Sequence, residues 1–281
     1  MSQEDRNTLI AVAVIFLFFM CSYAGMHVYS GHDPYFSVVT SQSMQHDDDS
    51  SSIGIIDTGD LVYVRDKSKL DIQTYLQGLE TGFMTFGDYG SVIIYKTGDN
   101  SNVIHRALLI IEVKEDSLGK YASIPNLDTY LSWNSRYSPG SDLDPEMLRE
   151  DITLNDVGYR GIDVNIDIEF ILSRTEPGVS GYVTMGDNNS IIDQSPISNS
   201  SFIISGLVTY DMIVSIPVLE VPWIGSIKLI LDGRGIVVDN HAPNSIPDFI
   251  IFILTMSLIL FSIYIIWMGI AMEYKKKNKT L

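Results

Sequence analysis

Two serines, Ser41 and Ser43, stand in the segment SVVTSQSMQHDDDS, residues 37–50, just beyond an apolar run. A serine hydroxyl is a poor nucleophile on its own. It needs a base to take its proton and donors to hold the oxyanion formed on the attacked carbonyl. Candidate partners lie further along. His105 sits inside the apolar run NVIHRALLIIEV, residues 102–113, and histidine as a residue type exchanges its proton near neutral pH. Asp187 and Asp193 fall in GYVTMGDNNSIIDQS, residues 181–195. One of these carboxylates could orient the imidazole. The other could brace the GDNN turn, where Gly, Asp and Asn tolerate positive φ. Taken singly, each residue has an ordinary reading: a loop serine, a structural histidine, two loop carboxylates. His46, three residues after Ser43, is a rival base. A histidine on the same loop is poorly placed for a rigid contact, whereas one on a strand is preorganised.

The elements that must hold these residues read mainly as β. GDLVYVRD (59–66), GSVIIYKT (90–97), NVIHRALLIIEV (102–113), GYVTMGD (181–187), SFIISGLVTY (201–210) and GSIKLIL (225–231) are short runs rich in Val, Ile and Tyr. Gly, Asp, Asn and Pro separate them. The expected architecture is an antiparallel β-sandwich or small barrel. Three stretches look irregular: the acidic loop 45–52, residues 67–89 with room for one short helix, and a long insertion at 114–176. Within that insertion Pro145 is placed to open a short helix, with acidic residues in its first turn.

Two segments do not belong to a soluble core. Residues 8–29 and 249–272 contain no Asp, Glu, Lys or Arg. At about 1.5 Å per residue each can cross a hydrocarbon layer of roughly 30 Å. The first is expected to be a retained anchor rather than a cleaved leader, because residues 1–7 lack the usual basic excess and the uncharged stretch exceeds a typical leader core. Lys275, Lys276, Lys277 and Lys279 follow the second span directly, which favours a cytoplasmic tail at 273–281. Both termini are then inside, and residues 30–248 form an extracytoplasmic domain of a multi-pass cell-membrane protein. The net charge of −17 argues against nucleic acid, whose phosphates need a basic face. The lone cysteine, Cys21, excludes an intramolecular disulfide and a cysteine metal cluster. His27, His32, His46, His105 and His241 show no zinc spacing, and no Gly-rich phosphate loop occurs.

The order of apolar anchor, SQSM (41–44), GDLV (59–62), IHR (104–106) and GDNNSIID (186–193) resembles the type I signal peptidases, in their archaeal and endoplasmic-reticulum branch. That resemblance implies a Ser-His-Asp endopeptidase that removes signal peptides from secretory preproteins, cutting after small residues. It implies Ser43 as nucleophile and His105 as base, at the position where the bacterial branch carries a lysine. It brings both Asp187 and Asp193 as site carboxylates. Asp193, on the segment returning towards the sheet, suits the role of triad acid better. Asp187, within the turn, suits that of brace. The Ser43 backbone N–H and the Ser41 hydroxyl are the implied oxyanion donors. No metal or organic cofactor is implied. The implied partners are preproteins, the lipid bilayer and the protein-translocation machinery. The chain departs from the family pattern at Gln42, where glycine is usual, and at Gln45-His46, where an acid and proline are usual. Two rival readings remain: a related peptidase acting on other surface precursors, and a membrane-tethered scaffold without catalysis.

Overall fold

The computed structural model describes residues 2–125, 127–129, 132–135, 143–196 and 206–277. The chain opens with helix α1 (Gln3–Ser30), capped by Ser2 and closed by Gly31 in the left-handed region. Strands β1 (Phe36–Val38) and β2 (Leu61–Asp66) follow, then the short helix α2 (Tyr75–Thr81). A tiny hairpin, β3 (Met84–Thr85) and β4 (Asp88–Tyr89), leads into β5 (Val92–Lys96) and the long β6 (Asn102–Asp116). Next come β7 (Gly119–Ser123), β8 (Trp133–Ser135), β9 (Ile152–Val157), β10 (Ile162–Ile166) and helix α3 (Ile168–Arg174). The chain ends through β11 (Ser180–Met185), β12 (Ile213–Val221) and helices α4 (Ile224–Leu231), α5 (Gly235–His241) and α6 (Ser245–Lys277).

The architecture is mainly antiparallel β. The principal sheet runs β1-β2-β12-β5-β6-β11, with β7 paired to the far half of β6, and curls into a half-barrel. Strand β6 is its spine: residues 102–106 pair with β5, the middle pairs with β11, and residues 112–116 pair with β7. A separate three-stranded sheet, β10-β9-β8, lies within the insertion. Its apolar residues Ile152, Leu154, Val164 and Ile166 join Leu109, Ile111 and Val183 of the main sheet in the largest core. A second core packs Met44 and Ile56 against Val62, Val64, Val92 and Ile94. The helices α1 and α6 contain segments, Asp5–Ser30 and Ser245–Met272, long and apolar enough to cross a membrane, and neither segment is buried in the protein.

Several expectations are corrected. Residues 225–231 are helix α4, not a strand. Their apolar side chains recur three apart, with Ile224, Ile227 and Ile230 partly exposed and Leu229 buried, a helical period that a short apolar run conceals. Of the expected strand at 201–210, residues 201–205 lie outside the described residues, and Val208 makes only an isolated bridge to Tyr182. Pro145 opens a turn, in which Met147 N–H donates to the Asp144 carbonyl at 2.9 Å, rather than a helix. Strand β6 runs on to Asp116, into the stretch 114–176, which also holds strands β7 to β10. Strand β12 has no counterpart in the sequence reading, although it sits between β2 and β5. Pro217 argues against an inner strand, but the pairing with β2 shifts register between Pro217 and Leu219, and that bulge accommodates the missing donor.

Candidate active site

The loop after β1 is fixed from below. Met44 is 1% exposed in the second core, so the residue following Ser43 nails the backbone to the sheet. A turn closes from the Gln45 N–H to the Gln42 carbonyl at 3.0 Å. Gln45, where the sequence departs from the expected pattern, is buried. Its amide oxygen accepts from the Thr58 hydroxyl, and its amide nitrogen donates to the His241 carbonyl at 2.8 Å.

His105 stands on β6 opposite Ile93 of β5. Its Nε2 is 2.9 Å from Ser43 Oγ. Its Nδ1 is 2.7 and 2.9 Å from the two oxygens of Asp193. A carboxylate only accepts, so Nδ1 carries the proton and Nε2 is left to accept from the serine hydroxyl. Asp193 is delivered by a chain reversal: after β11 and the turn, its own N–H donates to the Thr184 carbonyl at 2.9 Å. One of its oxygens also accepts from the Tyr95 and Thr184 hydroxyls, each at 2.6 Å. Burial, and then the adjacent Asp193 carboxylate, push the Tyr95 phenol well above its ordinary range, so it stays a donor.

Successive residues of a strand point to opposite faces, and β6 uses both. Next to His105, Arg106 is 1% exposed and takes the other carboxylate. Its Nε and Nη2 meet the two oxygens of Asp187 at 2.8 and 2.6 Å. Its Nη1 donates to the carbonyls of Thr85 and Gly90 at 3.0 Å each. Burial alone would raise the Asp187 carboxyl, but the Arg106 guanidinium and the His46 hydrogen bond together hold it below its ordinary value. Asp187 makes no hydrogen bond to His105 among the described residues; its imidazole partner is His46, whose Nε2 is 3.1 Å away.

Two features escaped the sequence reading. The turn 186–189 closes from the Asn189 N–H to the Gly186 carbonyl at 2.9 Å, and none of its residues has positive φ. Gly186 is needed for space instead: a Cβ there would lie 2.4 Å from the Ser43 carbonyl oxygen and 2.8 Å from His105 Nε2. The neighbouring Asn188 N–H donates to that same Ser43 carbonyl at 2.8 Å, tying the acid turn to the serine loop. The second feature is the pair Tyr95 and Thr184, which face Asp193 from β5 and β11; their wide separation in sequence leaves no local signal.

Ser41 Oγ lies 3.3 Å from Ser43 Oγ, on the open side of the site. Both serines and His105 line a groove of about 710 Å³, with Val38, Thr40, Val103, Ile104, Asn189 and Ile191 among its walls. Apart from His105 and Asp193 the lining carries no ionisable side chain among the described residues. No group of His, Cys, Asp and Glu among the described residues is arranged to hold a metal. No protein-family model matches the chain, and no curated protein is detectably similar to it. The chemistry must therefore be argued from the geometry. A hydroxyl, an imidazole and a carboxylate joined in line can pass the hydroxyl proton to the imidazole while the carboxylate stabilises the imidazolium.

Proposed function

We propose that this chain is a membrane-anchored serine endopeptidase that removes signal peptides from translocated preproteins, cutting after small residues. The observation that carries the reading is the unbroken line Ser43–His105–Asp193, opening onto a groove whose other lining residues are not ionisable. On this reading Ser43 Oγ attacks the scissile carbonyl as its proton passes to His105 Nε2. The oxyanion is held by the Ser43 N–H and the Ser41 hydroxyl. The imidazolium returns the proton to the leaving amine, and a water, deprotonated by His105 in turn, frees the acyl group.

The setting supports a peptide substrate in extended form. Strand β1 is the end strand of the sheet, paired on one side with β2. Residues 37–40 line the groove on the approach to Ser43. A cleavage segment laid along them would gain main-chain hydrogen bonds, while the apolar walls at Val62, Ile94 and Ile104 leave room for small side chains. Helix α1 ends at Ser30, only a short chain length from Ser43, and its last turn is pinned to β2 and the turn that follows it: the Arg65 guanidinium of β2 lies 4.3 Å above the Tyr29 ring, and Lys69 Nζ, just beyond β2, donates to the Val28 carbonyl at 2.8 Å. With α1 and α6 as spans and the lysine-rich end inside, the groove would face the extracytoplasmic surface, where a translocated signal peptide ends.

The test uses the full chain purified in detergent with a secretory preprotein. Product mass should place a single cut after a small residue at the end of the signal sequence, and Ser43→Ala should yield none. Serine labelling by a fluorophosphonate without preprotein cleavage would favour a peptidase for other precursors. An unreactive Ser43 would favour a non-catalytic scaffold.

A further inference from the structure

The second histidine of the site, His46, has a built environment that the proposed proton relay does not use. It lies on the serine loop, three residues after Ser43. Its Nε2 contacts Asp187 at 3.1 Å, and its ring stacks on Tyr159 with centroids 3.8 Å apart and planes 14° from parallel. Gly87, at the tip of the β3–β4 hairpin with φ +83°, lies against the same ring. A Cβ there would meet His46 Cε1 at 3.0 Å. Tyr159 sits at the β9–β10 turn, through which the insertion reaches the serine loop. Its hydroxyl donates to the Gln45 carbonyl at 3.1 Å, and its N–H donates to Asp88 at 2.9 Å. The adjacent Arg160 donates to the Asn188 carbonyl at 2.7 Å, and the Asn188 N–H holds the Ser43 carbonyl.

We propose that Tyr159 and His46 are positioning residues, through which the β9–β10 turn of the insertion clamps the serine loop onto the acid turn and sets Ser43 against His105. The proposal rests on the peptidase reading above. The clamp acts on both sides of Ser43's anchorage: His46 and Gln45 hold the loop beyond the nucleophile, and Asn188 holds the nucleophile's own carbonyl. Neither His46 nor Tyr159 lines the groove, so their loss should disturb alignment rather than substrate binding. Misplacing a nucleophile by a fraction of an ångström to an ångström is enough to slow a reaction by roughly 10- to 100-fold.

The test compares the full chain in detergent with its His46→Ala, Tyr159→Ala, Tyr159→Phe and double-alanine variants on one preprotein, together with thermal unfolding midpoints. Each alanine variant should lower kcat roughly 10- to 100-fold, with KM held within about twofold. The double variant should lose clearly less than the product of the two single losses, because the stacked contact between the rings is shared. Tyr159→Phe keeps the stacked ring and should recover most of the rate. Unchanged kcat in both alanine variants, additive losses in the double, a rise in KM alone, or a Tyr159→Phe as slow as Tyr159→Ala would overturn the clamp. A variant that loses its unfolding transition is set aside, and Tyr159→Phe against wild type then decides: near-full rate supports the stacked clamp, and a loss as deep as that of the remaining alanine variant refutes it. An inactive wild type would instead refute the peptidase reading on which the clamp depends.

Discussion

The site contains two histidine–aspartate pairs, and they differ in what else holds the carboxylate. Asp193 receives His105 together with two neutral hydroxyls, Tyr95 and Thr184. Asp187 receives His46 together with the two-pronged guanidinium of Arg106. Neutral donors orient a carboxylate and leave its charge uncompensated. A buried guanidinium neutralises it. An imidazole that must become positive during a reaction is helped by the first arrangement far more than by the second. The first pair also has Ser43 on its free nitrogen, while the second is shut in by Tyr159 and Gly87. The same two residue types thus serve as a proposed relay in one place and as a brace in the other.

The sharpest way to break this contrast is to remove charge from each carboxylate in turn. Asp193→Asn should keep the fold, since its amide oxygen can still accept from Tyr95, and should lower kcat by about 10⁴-fold in a preprotein-cleavage assay. Asp187→Asn should act first on stability. It leaves Arg106 buried without its counter-charge, and denaturant titration should show a loss of about 3–5 kcal/mol, with activity falling as the folded fraction falls. If Asp187→Asn folds normally and is inactive while Asp193→Asn is active, the roles are exchanged.

A smaller effect tests the packing between the pairs. Gly186→Ala places a methyl against both the Ser43 carbonyl and His105. It should cost on the order of 10²-fold in kcat and also lower the unfolding midpoint, because the atom it meets first is a backbone carbonyl. Full activity would mean that the acid turn can recede freely and that its close approach is incidental.

A last effect, on stability alone, comes from two buried carboxylates that form no ion pair with Lys or Arg among the described residues. Burial, only partly offset by hydrogen bonds from the Trp223 and Asp57 N–H groups, pushes Asp60 up to about 8. Burial likewise pushes Asp57 up to about 6, against the N–H of Ser52. A folded-state value raised above the unfolded one gives stability that is complete below about pH 4 and is lost as pH rises through the folded value. Asp187, held low, behaves oppositely: its contribution is present above about pH 4 and is lost as pH falls below it. Denaturation measured across pH should therefore show stability declining between about pH 4 and 8, and Asp60→Asn should flatten that slope. An unchanged slope would locate the titration elsewhere.

The contrast between the two pairs also marks what sequence could disclose. The runs that became β2, β5, β6 and β11 were legible because β-branched residues cluster between turn formers. The grouping of Ser43, His105 and Asp193 was expected only through the family resemblance of their motifs; no local rule sets Asp193 on a returning segment bonded to Thr184. Strand β12 was hidden by Pro217, whose cost is removed by a bulge that exists only when the partner strand is present. Helix α4 was hidden because seven apolar-rich residues fit either period. His46 was weighed as a rival base, whereas its contacts come from Tyr159, Gly87 and Asp187, which are distant in sequence and meet only through the tertiary fold. The GDNN turn was read through φ, while Gly186 is needed because two loops approach within a methyl's width.

The central claim is that the pair built on His105, and not the pair built on His46, activates Ser43. It is tested most directly by measuring single-turnover cleavage of one preprotein by His105→Ala and His46→Ala side by side. The account predicts that His105→Ala loses about 10⁴-fold or more, while His46→Ala retains a readily measured rate, slowed by no more than about 100-fold. An active His105→Ala beside an inactive, folded His46→Ala would contradict it.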